Sequence, residues 1–140
     1  MSFKFADFLS CILIVVFAFF MFHSIFNEGF LVSLDNPIHL AESYSFVESL
    51  KENKWVSGWS MDAYVGYPLQ LFPRYQIGLW LVAILNLVFS VEFAYKIVLF
   101  LSYLFPALAI FFVCKKLFSS TFSALLPSLL FLLIRRDVVV

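Results

Sequence analysis

Two stretches decide the fold: Phe8–Phe26, FLSCILIVVFAFFMFHSIF, and Ile97–Cys114, IVLFLSYLFPALAIFFVC. Neither carries an Asp, Glu, Lys or Arg, and each is close to the roughly 20 residues that an α-helix needs to cross a hydrocarbon layer about 30 Å thick. Phe118–Ile134 is a third such run. The whole chain of 140 residues is 64% hydrophobic and 13% charged; a soluble domain averages about 45–50% apolar and about 25% charged residues. A β-barrel would need apolar and polar positions alternating in segments of about ten residues, and no such alternation is visible. The expected class is therefore all-α and polytopic, set in a membrane, with lipid as its first partner.

Working outward from Phe8–Phe26, the run is too long for a signal-peptide core and no small-x-small cleavage site follows it, so it reads as an uncleaved anchor. Lys4 favours a cytoplasmic N-terminus, which places the loop at residues 27–76 outside the cell membrane. That loop holds six of the nine acidic residues: Glu28, Asp35, Glu42, Glu48, Glu52 and Asp62. Leu34-Asp35-Asn36-Pro37 is a helix start, with Asp35 or Asn36 as cap and Pro37 at the first helical position. The helix is expected to run to about Asn53, with Leu40, Tyr44, Val47 and Leu50 as an apolar face lying on the membrane surface or on other helices. Turn signals follow at Tyr64–Pro68, with Gly66 and Pro68, and at Leu71–Tyr75, with Pro73.

Residues 77–89 are apolar but short, with Asn86 inside, and a run of 10–14 suits a juxtamembrane or re-entrant segment better than a crossing. Ser90–Lys96 reads as a polar break. Charge leaves two topologies open: four spans put Lys115 and Lys116 outside and Arg135 and Arg136 inside, while three spans reverse both pairs. The shortness of 77–89 favours three spans, at 8–26, 97–114 and 118–134, with Pro106 and Pro127 inside the last two. The chain ends LLFLLIRRDVVV directly after a span, so an incomplete N-terminal fragment is expected.

Zero net charge gives no basis for binding nucleic acid. Cys11 and Cys114 lie in apolar runs without metal-type spacing and read as small buried hydrophobes. There is no G-x-S-x-G, C-x-x-C, H-E-x-x-H or phosphate-binding glycine loop. A channel is disfavoured because no span carries a row of polar residues. Chemistry, if present, falls on the outer loop. Asp35 is either a plain N-cap or a carboxylate kept ionised by helix N–H groups, able to act as general base or as a ligand for Mg or Mn. Asp35, His39 and Glu42 share a helix side at i, i+4 and i+7, which is either a solvated face or a metal set. Trp55, Trp59, Tyr64 and Tyr67 suit an interfacial aromatic belt or a platform for a sugar or lipid. Arg74, Arg135 and Arg136 suit headgroup contact, topology anchoring, or a grip on phosphate.

The order of these pieces carries a resemblance. One span is followed by D-N-x2-H (Asp35–His39), an amphipathic helix and Lys54-Trp55. Then come V-G-Y-P-L (Val65–Leu69), F-P-R-Y (Phe72–Tyr75), a short apolar segment, S-V-E-F-A-Y-K (Ser90–Lys96), a span ending C-K-K-L-F, and another span. From Phe8 to Ile134 this resembles the N-terminal part of prokaryotic membrane proteins with the C-type glycosyltransferase fold (GT-C). Within them it looks most like those catalogued as 6-pyruvoyl-tetrahydropterin synthase-related, a label that implies no pterin chemistry. The resemblance implies sugar transfer from a polyprenyl-phosphate donor at the outer face, with Asp35 as base or metal ligand, as in protein O-mannosyltransferases and oligosaccharyltransferases. It also implies a juxtamembrane segment at 77–89, and a missing C-terminal region or partner subunit to complete a groove for the lipid-linked sugar. The alternative is a non-enzymatic membrane protein, an assembly factor or a transporter helper subunit.

Overall fold

The computed structural model describes residues 5–27, 36–52 and 76–135, and all regular structure among them is helical. Five α-helices follow one another: α1 Phe5–Phe22, extended by a 3-10 turn at His23–Phe26, α2 Asn36–Lys51, α3 Gln76–Leu85, α4 Val91–Phe118 and α5 Thr121–Arg135. Two stretches, Phe5–Phe26 and Val91–Phe118, are long and apolar enough to cross a membrane. Only 22% and 17% of their most apolar windows is buried within the protein, whereas a core helix of a soluble domain would be buried over most of its surface. Phe8, Leu9, Ile12, Leu13, Val15, Val16, Phe19 and Phe20 all lie exposed on α1. An apolar surface of this extent calls for a non-aqueous surround or a covering partner. Helix α5, with 15 residues, rises only about 22 Å.

The chain divides into two compact units, residues 1–29 with 99–140, and residues 30–98. In the first, α1 buries Asp7, Ser10, Ile14, Ala18 and Phe22, one stripe at three- and four-residue steps. Helix α1 packs along α5, whose fully buried positions Ala124, Ser128 and Leu132 recur every fourth residue. Small residues at such a seam let helix backbones approach closely, which is how helices associate where no hydrophobic effect separates them from their solvent. The buried hydroxyls cost little: Ser10 Oγ donates to Ala6 O at 2.8 Å and Ser128 Oγ to Ala124 O at 3.2 Å. From α4 the buried residues are Leu104, Ala107, Phe111 and Lys115. Rings join α4 to α1, with Phe22 stacked on Tyr103 at 4.7 Å and the centroids of Phe26 and Phe100 5.6 Å apart.

A buried polar cluster closes the other end of this unit. Asp7 of α1, 1% exposed, pairs with Lys115 of α4, 8% exposed. Thr121 Oγ1, at the start of α5, donates to Asp7 Oδ1 at 2.9 Å and accepts from Lys115 Nζ at 3.3 Å. Three helix ends meet there, so α4 runs antiparallel to α1, and α5 runs parallel to it. From Asp7 to Phe26 the helix rises about 28 Å, close to one hydrocarbon thickness of about 30 Å.

The second unit holds α2, α3 and the first two turns of α4. Val47, Val82, Val91 and Ala94 form its core, with Ala83, Leu85, Tyr95 and Val98 packed against them. Phe46 meets Trp80 edge-on at 5.2 Å.

Several sequence expectations need correction. Tyr44 is exposed rather than part of the apolar face of α2. That helix instead buries Leu40, Glu42, Ser43, Ser45, Phe46, Val47 and Ser49, around most of its circumference, because its serines satisfy their own hydroxyls against the helix backbone, as in Ser43 Oγ to His39 O and Ser49 Oγ to Phe46 O, both 2.8 Å. Ser90–Lys96 is not a break. Ser90 caps α4, accepting from Phe93 N at 3.3 Å, and Glu92 and Lys96 form an i, i+4 pair at 2.9 Å, so polar residues begin the helix instead of interrupting it. The apolar run at 77–89 is a helix only as far as Leu85, because the Asn86 side chain donates to Phe89 O at 2.9 Å and holds a turn. Lys115 and Lys116 are likewise inside the last turn of α4. Ser119 follows at φ 54°, donating its N–H to Lys115 O at 2.9 Å, a left-handed helix stop.

Gly78 lies in the first turn of α3, and a Cβ built there meets no atom within 4 Å. Gly78→Ala is therefore expected to stabilise the protein by about 0.5–1 kcal/mol, since it lowers the entropy of the unfolded chain without a clash. Thermal unfolding in detergent checks this; the melting temperature should rise.

Candidate functional site

Of the expected site residues, His39 and Glu42 lie on α2. The helix begins at Asn36, with Pro37 in its first turn, where a missing N–H is tolerated. One helical turn on, His39 Nδ1 and Glu42 Oε2 are 3.1 Å apart. The i, i+3 spacing puts both side chains on one side of the helix. The Glu42 side chain is 8% exposed and that of His39 29%, so the carboxylate is held inside and the imidazole is half-open. A carboxylate facing Nδ1 favours the proton on that nitrogen, which makes Nε2 the ring atom able to accept a proton or bind a cation. Among the described residues no group of three or more His, Cys, Asp or Glu side chains gathers where a metal ion could sit. The structure thus brings His39 and Glu42 together as a hydrogen-bonded pair.

Asp35, Trp55, Trp59, Tyr64, Tyr67, Arg74 and Arg136 lie outside the described residues. Arg135 is the last residue of α5.

Sequence reasoning missed the cluster of Asp7, Lys115 and Thr121. The signal available was weak: one acid beside the first apolar run and one of two adjacent lysines after the second. Only the fold shows that they meet. The exposed pair of Lys51 Nζ and Glu48 Oε1, 2.7 Å apart on α2, carries little by comparison, because water screens it.

Set against known proteins, the chain matches no family model, no curated protein and no solved structure.

Glu42 is the buried partner of this pair. Its replacement by Ala leaves the His39 nitrogen without that acceptor and is expected to cost about 1–3 kcal/mol, while Glu42→Gln, which keeps a carbonyl oxygen facing Nδ1, should cost less. Denaturation in mixed micelles, comparing both variants with the parent, measures the order.

Proposed function

We propose that this chain is an integral membrane protein that crosses the bilayer three times, by α1, α4 and α5, and acts as the outer-face part of a glycosyltransferase-like enzyme. The observation that carries the crossing pattern is the meeting of Asp7, Lys115 and Thr121 at one end of the first unit, with Phe26 against Phe100 toward the other. The chain leaves α1 and re-enters α4 at the same end, so α3, with 10 residues and a rise of about 15 Å, need not cross. With a cytoplasmic N-terminus, residues 27–90 all fall outside. The loop that bears Asp35, His39 and Glu42 then faces a lipid-linked donor presented at the outer surface.

In this reading Asp35 takes the proton of an acceptor hydroxyl. The hydroxyl oxygen bonds to the anomeric carbon of the donor sugar as the bond from that carbon to the polyprenyl-phosphate oxygen breaks. His39, oriented by Glu42, follows Asp35 by four residues in the sequence and assists in holding the acceptor. Trp59 and Tyr67 stack on the sugar, and Arg74, Arg135 and Arg136 neutralise the departing phosphate. A Mg or Mn ion held by Asp35, His39 and Glu42 would offset the same charge when bound. A few helices cannot enclose a polyprenyl chain, so the reading requires further helices, from the same polypeptide or from a partner subunit.

The test is release of polyprenyl phosphate from a polyprenyl-phosphate-linked sugar in proteoliposomes of the full natural protein. Asp35→Asn is expected to lower release by about 100-fold or more, the scale of a lost general base. The exposed Glu48→Gln should leave it unchanged. No release by the parent protein, or equal release by Asp35→Asn, rejects the enzymatic reading and favours the assembly or transporter-helper role.

A further inference from the structure

Asp7, Lys115 and Thr121 form a buried tertiary polar cluster. Asp7 and Lys115 are both almost fully buried, and they join the first helix to one completed 108 residues later (115 − 7). Thr121, 114 residues from Asp7, bridges them. The remaining buried positions of the α1 stripe, Ser10, Ile14, Ala18 and Phe22, are uncharged, and an uncharged stripe tolerates a slip by one helical turn with modest loss. A buried carboxylate does not tolerate it, because a slip strands both charges in a medium that solvates neither.

Order of synthesis adds a second constraint. Helix α1 is made long before Lys115 exists, and until then Asp7 lacks this cation and bridging hydroxyl. We infer that Asp7, Lys115 and Thr121 form a register latch, which seats α1 on the α4–α5 hairpin only once that hairpin is in place. Helix α1 therefore has two positions. In the first it is undocked, with Asp7 at the headgroup level, where water reaches it. In the docked state Asp7 is drawn in by Lys115, and Thr121 Oγ1 donates to the carboxylate while accepting from the ammonium. The stacked rings of Phe22 and Tyr103 close the far end as a consequence of correct register. This use of a buried polar contact to specify alignment is independent of any catalytic role of the loop.

The experiment uses the full chain in membranes with Cys11→Ser and Cys114→Ser, and with Phe22→Cys and Tyr103→Cys as reporters of docking. A short bis-maleimide should crosslink the two reporters in the parent. Asp7→Asn should slow crosslinking by about tenfold or more, since an unpaired buried lysine disfavours the docked state. The charge exchange Asp7→Lys with Lys115→Asp should restore most of the rate, with carbonate-resistant membrane retention showing that α1 is still inserted. Thr121→Val should fall between, and Thr121→Ser should match the parent. Parental crosslinking in Asp7→Asn, or a charge exchange that remains inserted yet crosslinks as slowly as Asp7→Asn, overturns the latch.

Discussion

The pairing of Asp7 with Lys115 is the constraint on which the first unit depends. A carboxylate and an ammonium, each nearly sealed from solvent, are costly to bury unless they meet, and replacing only one leaves the other stranded at about 3–5 kcal/mol. Their meeting requires the start of α1 to lie beside the end of α4. Thr121 adds the start of α5 to the same point through two hydrogen bonds. The directions of three helices then follow, and with them the end at which each connecting segment emerges. Apolar stripes supply adhesion along the helices but say little about which end goes where.

The same logic recurs along α4. Its uncharged core is bracketed by two buried lysines, Lys96 and Lys115, about 28 Å apart along the helix axis. Each has a carboxylate at hand: Glu92 one turn back for Lys96, Asp7 from another helix for Lys115. A helix of 28 residues exceeds what a hydrocarbon layer of about 30 Å requires. Its ends are polar, capped by Ser90 at the start and stopped by the left-handed Ser119 at the finish. Local pairing settles one lysine and tertiary pairing the other; the segment SVEFAYK nevertheless reads from sequence as a polar break, and the structure shows it to be the start of the helix.

How far the chain was legible follows from the range of the forces involved. The helical class and the two long apolar stretches needed only composition and run length, and the start of α2 at Asn36 needed only the Asp-Asn-Pro signal. Helix ends at Leu85 and Val91 were misjudged because a single asparagine amide and a single serine hydroxyl decide them. The apolar face proposed for α2 failed at Tyr44, since burial there depends on what surrounds the helix in its unit, and sequence spacing cannot supply that. Of the site, the adjacency of His39 and Glu42 was legible from i, i+3 geometry. The Asp7 cluster was not, because contacts more than 100 residues apart leave no local pattern.

The most direct test of the account is the sidedness of four positions, each exposed in the structure. Single cysteines replacing Phe5, Asn27, Leu87 and Lys116, in a background with Cys11→Ser and Cys114→Ser, are reacted with a membrane-impermeant maleimide in sealed right-side-out vesicles. Three crossings require Asn27 and Leu87 to label from outside, with Phe5 and Lys116 labelling only after the vesicles are opened. Labelling of Lys116 together with Asn27 from outside, with Leu87 protected, would mean that residues 77–89 cross the membrane and that Asp7 and Lys115 belong to opposite faces, which contradicts the account at its base.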